Sequence, residues 1–303
     1  MISRSLEVKF LNITFKNPII MASGTFGFGR EYAEIYNIEK LGGLVSKGLT
    51  LYPRLGNTGT RVWETASGMM NSIGLENPGI DAFIQKELPF MRSLNLVRII
   101  NISGSSLKEY IQACEKISDE NVDMIELNIS CPNIKERGIP FGIKKSTTRK
   151  VVKETRKVVK VPLMIKLSPD AENIVKIAQI CEEEGADSIS LVNTFKSFAI
   201  NIEQKTKVFD NTYAGLSGPC IKPIALRMVH EVSRNIKIPI MGIGGIMTYQ
   251  DVLEYLMAGA KAVQIGTANF INPKVGEIII NDLEKYLSRN HISNISEIIG
   301  IAN

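Results

Sequence analysis

Eight short apolar runs recur along the chain, at Pro18–Ala22, Gly43–Lys47, Val97–Ser103, Asp123–Asn128, Pro162–Leu167, Ser188–Asn193, Pro239–Ile243 and Ala262–Gly266. Most are unbroken rather than alternating. Strands buried on both faces read this way, as in a parallel sheet covered by helices. Between many of them apolar residues fall at helical spacing: Leu107 to Ile117, Thr148 to Val159, Ala171 to Glu184, Ile221 to Val232 and Tyr249 to Ala258. Two of these segments end in Gly185-Ala186-Asp187 and Gly259-Ala260-Lys261 and lead straight into the next run. Glycine there predicts a helix C-cap. Ahead of the series, Glu7 to Phe15 alternates around Leu11-Asn12 and predicts a short hairpin.

Eight strands alternating with helices over 303 residues favour a (β/α)8 barrel, of the TIM type, over an open doubly wound sheet. No linker or low-complexity segment interrupts the pattern, so residues 1–303 are read as one domain. Two connections are long for this fold, Gly48 to Gly79 and Thr194 to Pro219. Both follow strand C-termini and both are read as loops over the barrel mouth, where loops of such length commonly carry function.

The strand ends name the candidate chemistry. Strand one ends at Ala22-Ser23-Gly24 and strand two at Ser46-Lys47-Gly48. Strand three ends at Asn101-Ile102-Ser103, and strand four at Asn128, leading to Ser130, Cys131 and Pro132. Strand five contains Lys166, and strand six ends at Val192-Asn193-Thr194. Glycines close the last two, in Gly242-Ile243-Gly244-Gly245 and Gly266-Thr267. The ring holds amides, hydroxyls, two lysines, a thiol and glycines, with no carboxylate or histidine at the strand ends. Asn71, Asn101, Asn128 and Asn193 each both donate and accept, which suits a planar ligand with alternating N–H and C=O groups, such as a pyrimidine or an isoalloxazine. A single asparagine of this kind would be read as a turn residue.

Each remaining feature has a plainer reading beside the functional one. Cys131 is either a small buried apolar residue or a thiol presented on a loop at a strand's C-terminal end. The glycine pairs after strands seven and eight are either tight βα turns or a phosphate cradle of backbone N–H groups. Lys47 and Lys166 sit inside apolar runs, so each either faces an anion or reaches out to water from a strand end.

Composition narrows the class further. Hydrophobic residues make up 44% and charged ones 22%, which excludes disorder and fits a soluble globular protein. The net charge of +5 suits an anionic small molecule, and the basic run from Lys144 to Lys160 is read as a solvated helix face rather than a nucleic-acid patch. No apolar run is long enough to span a membrane, and the first ten residues lack the apolar core of a signal peptide. Four cysteines without a C-x-x-C and only two histidines, His230 and His291, give no basis for a disulfide framework, a metal site or a Ser–His–Asp triad. The expected location is cytoplasmic.

In order along the chain stand N-P-I-I-M-A-S-G-T-F-G (17–27), S-K-G-L-T (46–50), M-N-S-I-G-L-E-N-P-G (70–79), N-I-S-C-P-N (128–133), I-K-L-S-P (165–169), V-N-T (192–194), G-L-S-G-P (215–219), G-I-G-G-I (242–246) and G-T-A (266–268). With these motifs the chain resembles the class 1 dihydroorotate dehydrogenases, over almost their whole catalytic barrel. Cysteine within N-I-S-C-P-N points to class 1, since the membrane-associated class 2 uses serine there. T-L-Y-P-R-L-G-N together with N-S-I-G-L-E-N-P-G looks like subgroup 1B rather than the fumarate-dependent 1A.

The resemblance implies FMN at the barrel mouth, held by Ser23, Lys47, Gly48, Asn101, Asn128, Lys166, Val192, Gly218, Gly244, Gly245, Gly266 and Thr267. It implies that Lys47, Asn71, Ser72, Ile73, Gly74, Leu75, Asn128, Asn193 and Thr194 hold an orotate-like substrate, with Cys131 as the catalytic base. The segment from Cys131 to Gly142, with Pro132, Gly138 and Pro140, is read as a lid. Subgroup 1B also implies a second subunit carrying FAD and a 2Fe–2S cluster that passes electrons to NAD, in a heterotetramer built on a homodimer of this chain. This chain lacks the cysteine set for such a cluster, so the cluster must lie on another chain. Cys114, Cys181 and Cys220 receive no role. Three other readings stay in view. A flavin barrel acting on other reduced pyrimidines, as in dihydropyrimidine dehydrogenase, would not need a partner for a substrate carboxylate. A flavin-free phosphate-binding isomerase or lyase would be colourless. A non-catalytic binding barrel would hold no reducible cofactor.

Overall fold

The computed structural model describes residues 4–130 and 141–303. Cys131 and the greater part of the expected lid lie outside the described residues. Eight strands form the centre: β1 (Ile19–Met21), β2 (Gly43–Val45), β3 (Val97–Ile102), β4 (Met124–Asn128), β5 (Leu163–Lys166), β6 (Ser188–Leu191), β7 (Ile240–Ile243) and β8 (Ala262–Ile265). They close in chain order, with β8 returning to pair with β1. Every neighbouring pair is parallel. This is the (β/α)8 barrel that the apolar runs predict, and each strand falls within its predicted run.

A helix follows each strand: α1 (Arg30–Ala33), α2 (Ile80–Lys86), α3 (Leu107–Ser118), α4 (Lys145–Arg156), α5 (Ile174–Glu183), α6 (Lys222–Ser233), α7 (Tyr249–Met257) and α8 (Val275–Arg289). Side-chain caps start several of them. Ser106 and Asn173 accept from backbone N–H groups three residues on, and Thr248 with Asp251 forms a capping box. The α8 helix goes beyond the helical segments read from the sequence. It packs closely because Gly276 has no side chain: a Cβ there would lie 2.3 Å from Met21 Cε on β1.

The predicted hairpin pairs Val8–Phe10 with Ile13–Phe15, turning through Leu11 at φ 58°. Phe10 and Phe15 are fully buried and meet edge to face, 5.9 Å between centroids. Phe15 reaches Gly43 at the start of β2, so the hairpin covers the N-terminal end of the barrel. The opposite end is left for chemistry.

The two long connections are not irregular loops. They supply Val62–Thr65 and Gly68–Asn71 from the first, and Phe195–Phe198 and Tyr213–Ser217 from the second. These strands join in one antiparallel sheet, with Gly68–Asn71 paired to Tyr213–Ser217 at its centre. Strands of four or five residues carry too little alternation to announce themselves; each connection folds back as a hairpin, and the central pair joins the two hairpins. The sheet stands over the barrel mouth: a Cβ on Gly245, just past β7, would lie 2.8 Å from the carbonyl oxygen of Gly218.

Candidate active site

Side chains two apart on a strand share a face, so Glu126 and Asn128 on β4 both point into the barrel. Glu126 is fully buried. Its Oε1 accepts from Asn101 Nδ2 at 2.6 Å and lies 3.6 Å from Lys166 Nζ. Its Oε2 accepts from Ser190 Oγ at 2.8 Å and Gln264 Nε2 at 2.6 Å. The strand ends carry no carboxylate, but one lies a layer beneath them, within β4. An alternation count along E-L-N would have found it, because the same step that turns Asn128 inward turns Glu126 inward.

Above this layer the asparagines separate into two groups. Asn128 Oδ1 accepts from Ser130 Oγ at 2.6 Å and from Asn193 Nδ2 at 3.4 Å, while Asn193 also donates to Ser130 Oγ. Tyr110 of α3 fixes the same point from outside by donating to the Asn128 carbonyl at 2.7 Å. Asn193 Oδ1 accepts from the Thr194 N–H at 2.7 Å. Thr194 in turn lies against Gly215, whose carbonyl accepts from Asn71 Nδ2 at 3.4 Å. Asn101 stands apart, on β3, bonded down to Glu126. Its Oδ1 is buried, has no partner among the described residues and lies 3.0 Å from where a Cβ on Gly48 would be. Ser23 Oγ and Leu75 Cδ2 border the same point of Gly48.

Lys47 is partly buried, and no carboxylate among the described residues lies within ion-pair distance of its ammonium. Burial pushes it below its ordinary value of 10.5, opposed by Glu76, whose carboxylate is itself engaged by Arg61 at 2.6 Å. Lys166 is buried, and Glu126 is its one charged partner among the described residues.

The segment Asn71 to Leu75 is held from behind. Ser72 Oγ accepts from Asn57 Nδ2 at 3.0 Å, and the Ile73 carbonyl accepts from the Asn57 N–H at 2.9 Å. Gly74 packs on Asn57 as well. Asn77, buried just beyond, accepts from the Thr50 and Gly79 N–H groups at 3.1 and 2.9 Å and donates to Thr50 Oγ1 and the Leu75 carbonyl at 2.8 and 2.7 Å. The sequence motif contained Asn77, but nothing in it marked this residue as the anchor. Asn77→Ala leaves two buried N–H groups unpaired, at about 1–3 kcal/mol each. The variant is expected to lose stability by that order in urea denaturation, with Thr50 and Gly79 amides losing hydrogen-exchange protection first.

The glycines after β7 and β8 differ in kind. Gly244 and Gly245 have φ of 135° and 67°, and Cβ atoms there would lie 2.7 Å from Ala225 Cβ and 2.8 Å from Lys222 N. These two are required by the turn itself. Gly266 is not: a Cβ there would meet only Ala22 Cβ at 3.7 Å and Thr25 Cγ2 at 3.8 Å, both ordinary contacts. Thr267 Oγ1 donates to Ser217 Oγ at 2.8 Å, tying the end of β8 to the antiparallel sheet beside Gly218. Val192 is buried and continues the β6 pairing through its N–H to the Ile243 carbonyl at 3.0 Å.

The described site thus gathers the predicted residues at one end of the barrel, with Cys131 outside the described residues. Cys114 and Cys181 are buried, and burial pushes both thiols up, away from reactivity. Cys220 is exposed.

Comparison with known proteins places the chain. The family model described as dihydroorotate dehydrogenase matches residues 5–287. A protein of Petrotoga mobilis, the catalytic subunit of dihydroorotate dehydrogenase B (NAD(+)), is 59% identical over 97% of this chain and 98% of its own length. Proteins of the same description from Thermoanaerobacter pseudethanolicus and Geotalea uraniireducens are 49% and 46% identical, over 98% and 97% of both chains.

Proposed function

The chain belongs to the dihydroorotate dehydrogenase family, and on that premise we propose that it oxidises dihydroorotate to orotate in pyrimidine biosynthesis, with NAD as the final acceptor. The observation that carries the substrate is Lys47. A desolvated ammonium without an ion pair among the described residues asks for an anionic ligand, and the bonded amides of Asn128 and Asn193 at the same mouth suit an imide ring; orotate is such a ring bearing a carboxylate.

The residues present fit FMN. Among the described residues Asn101 Oδ1 is an unspent acceptor and Lys166 keeps unspent N–H donors, and a Cβ on Gly266 would meet only ordinary contacts. Backbone N–H groups at Gly244, Gly245, Gly266 and Thr267 suit its phosphate; Ser23, Lys47, Gly48, Asn101, Asn128, Lys166, Val192 and Gly218 are assigned to the rest. Bound there, FMN supplies the hydride acceptor. Lys47 takes the substrate carboxylate, and Asn71, Ser72, Ile73, Gly74 and Leu75 close over the ring from the side. Asn128, Asn193 and Thr194 bond its amide groups. Cys131, three residues beyond Asn128, removes the proton from the carbon next to the one that loses hydride, so that two C–H bonds break as the ring C=C forms.

Electrons leave through a separate subunit carrying FAD and a 2Fe–2S cluster, in a heterotetramer built on a homodimer of this chain. Two exposed apolar groups support more than one protein contact: Phe198, Ile200, Ile202 and Tyr213 on and beside the antiparallel sheet, and Phe270, Ile271 and Ile278 beyond β8. No described helix is long and apolar enough to cross a membrane. A cytoplasmic location goes with this reading.

Anaerobic addition of dihydroorotate to the purified yellow protein tests the reading. The flavin absorption band should bleach. A yellow protein that does not bleach would point to another reduced pyrimidine, and a colourless one that cannot be reconstituted would remove the flavin. Lys47→Ala is expected to raise KM for dihydroorotate by roughly 10- to 100-fold with a smaller change in kcat, the loss of one charge-assisted contact. Wild-type KM should also rise at alkaline pH. The lysine's value is lowered, so its ammonium is lost, and the carboxylate with it, as pH climbs through a point below 10.5. The alanine variant should lack that rise.

A further inference from the structure

Glu126 is a charge sealed inside the barrel with no route to substrate or water. A buried carboxylate is costly unless donors surround it. Here three are hydrogen-bonded to it, Asn101 Nδ2, Gln264 Nε2 and Ser190 Oγ, and the Lys166 ammonium lies 3.6 Å away as an ion pair. The two amide groups and the ammonium can only donate, so the surroundings are those of a hydrogen-bond acceptor, with the Ser190 hydroxyl the one contact able to accept in return. The arrangement is directional. Oε2 faces Ser190 and Gln264, which take no part in the site above. Oε1 looks up to Asn101 and Lys166. Holding Asn101 by its Nδ2 turns the unpartnered Oδ1 toward Gly48 and the mouth. Holding Lys166 from below keeps its remaining N–H groups free on the upper side.

We propose that Glu126 is a positioning residue that orients Asn101 and Lys166 toward the flavin and, by balancing the Lys166 charge, sets the reduction potential of the bound cofactor. The inference rests on the FMN reading above. A reduced flavin is richer in electrons than an oxidised one, so an unbalanced ammonium beside it favours reduction. The carboxylate holds that preference down, in favour of passing electrons onward.

Glu126→Gln removes the charge and keeps the shape. The variant can refold its contacts, because the Gln264 amide can turn to offer its own unpartnered oxygen. In FMN-loaded protein the potential of the bound flavin is expected to rise, favouring the reduced form by about tenfold, or ~30 mV for a two-electron couple. Charges act on the flavin additively, so the same substitution in a Lys166→Met background should raise the potential again, from a lower starting point. A potential within twofold of the parent protein in both backgrounds would overturn the proposal, because a merely structural carboxylate predicts no shift. Should Glu126→Gln fail to fold, Ser190→Ala serves. It keeps the carboxylate, removes one donor and leaves more negative charge facing Lys166, so the potential should move the opposite way, by about threefold in favour of the oxidised form; no movement would again overturn the role. Wild-type protein that binds no FMN sinks the functional reading along with this one, whereas wild-type protein that binds FMN beside unshifted variants sinks this one alone.

Discussion

With Cys131 replaced by serine, reduction of the bound flavin by dihydroorotate is expected to slow by about 10²- to 10⁴-fold at neutral pH, the usual contribution of a positioned base. The loss should be confined to proton removal. Cys131 is not among the groups assigned to FMN, so the variant should purify yellow with unchanged cofactor affinity. Substrate binding should hold as well, because Lys47, Asn128 and Asn193 are untouched. The neighbouring hydroxyl offers no relief: Ser130 Oγ already donates to Asn128 and accepts from Asn193.

The pH dependence carries the same assignment. A thiol near 8.5 is mostly protonated at neutral pH, and its thiolate fraction grows about tenfold per unit below that value. The wild-type rate of flavin reduction should therefore climb with pH and level off once the thiolate predominates. An alcohol is a far weaker acid, so the serine variant should climb without levelling over the same range. Stopped-flow traces across pH separate the two. Near wild-type reduction by the variant at neutral pH would take the role of base away from Cys131.

The barrel was legible in the chain because its strands are buried on both faces, so runs such as Ile19–Met21 and Ile240–Ile243 carry almost no competing signal. The antiparallel sheet over the mouth was not. Its central strands pair across about 146 residues of sequence, Met70 with Leu216, and each connection alone looks like a glycine-rich loop. The mouth residues were legible as strand ends, since the residue type changes there from apolar to amide, lysine or glycine. The layer beneath was hidden for the opposite reason. Glu126, Ser190 and Gln264 lie within their strands, where a polar residue reads as an interruption until the barrel brings three such interruptions into contact. Asn77 was hidden too: its partners Thr50, Leu75 and Gly79 stand in the quoted motifs, but its four bonds go to their backbone and hydroxyl groups, which a string of residue letters does not show.

The same contrast between what the fold requires and what a ligand requires makes Gly266→Val the sharpest test of the cofactor site. At Gly244 and Gly245 a side chain would strain the backbone and strike its neighbours, so their loss of function would say nothing about FMN. At Gly266 the chain has ordinary backbone geometry and room for a Cβ. The protein without ligand should therefore accept valine, with stability unchanged or raised by about 0.4–1 kcal/mol as the unfolded chain loses freedom. The cofactor should not. If the phosphate end of FMN approaches the backbone between Gly266 and Thr267, the added methyl groups occupy its place, and affinity is expected to fall by more than about 100-fold, a loss of ~2.7 kcal/mol. Thermal melting of the two apo proteins and fluorescence titration with FMN separate these outcomes. Equal melting with lost binding places the phosphate against β8. Equal melting with wild-type affinity moves it elsewhere. A variant that melts early would mean that the turn after β8 needs glycine for its own sake, the plainer reading with which the sequence began.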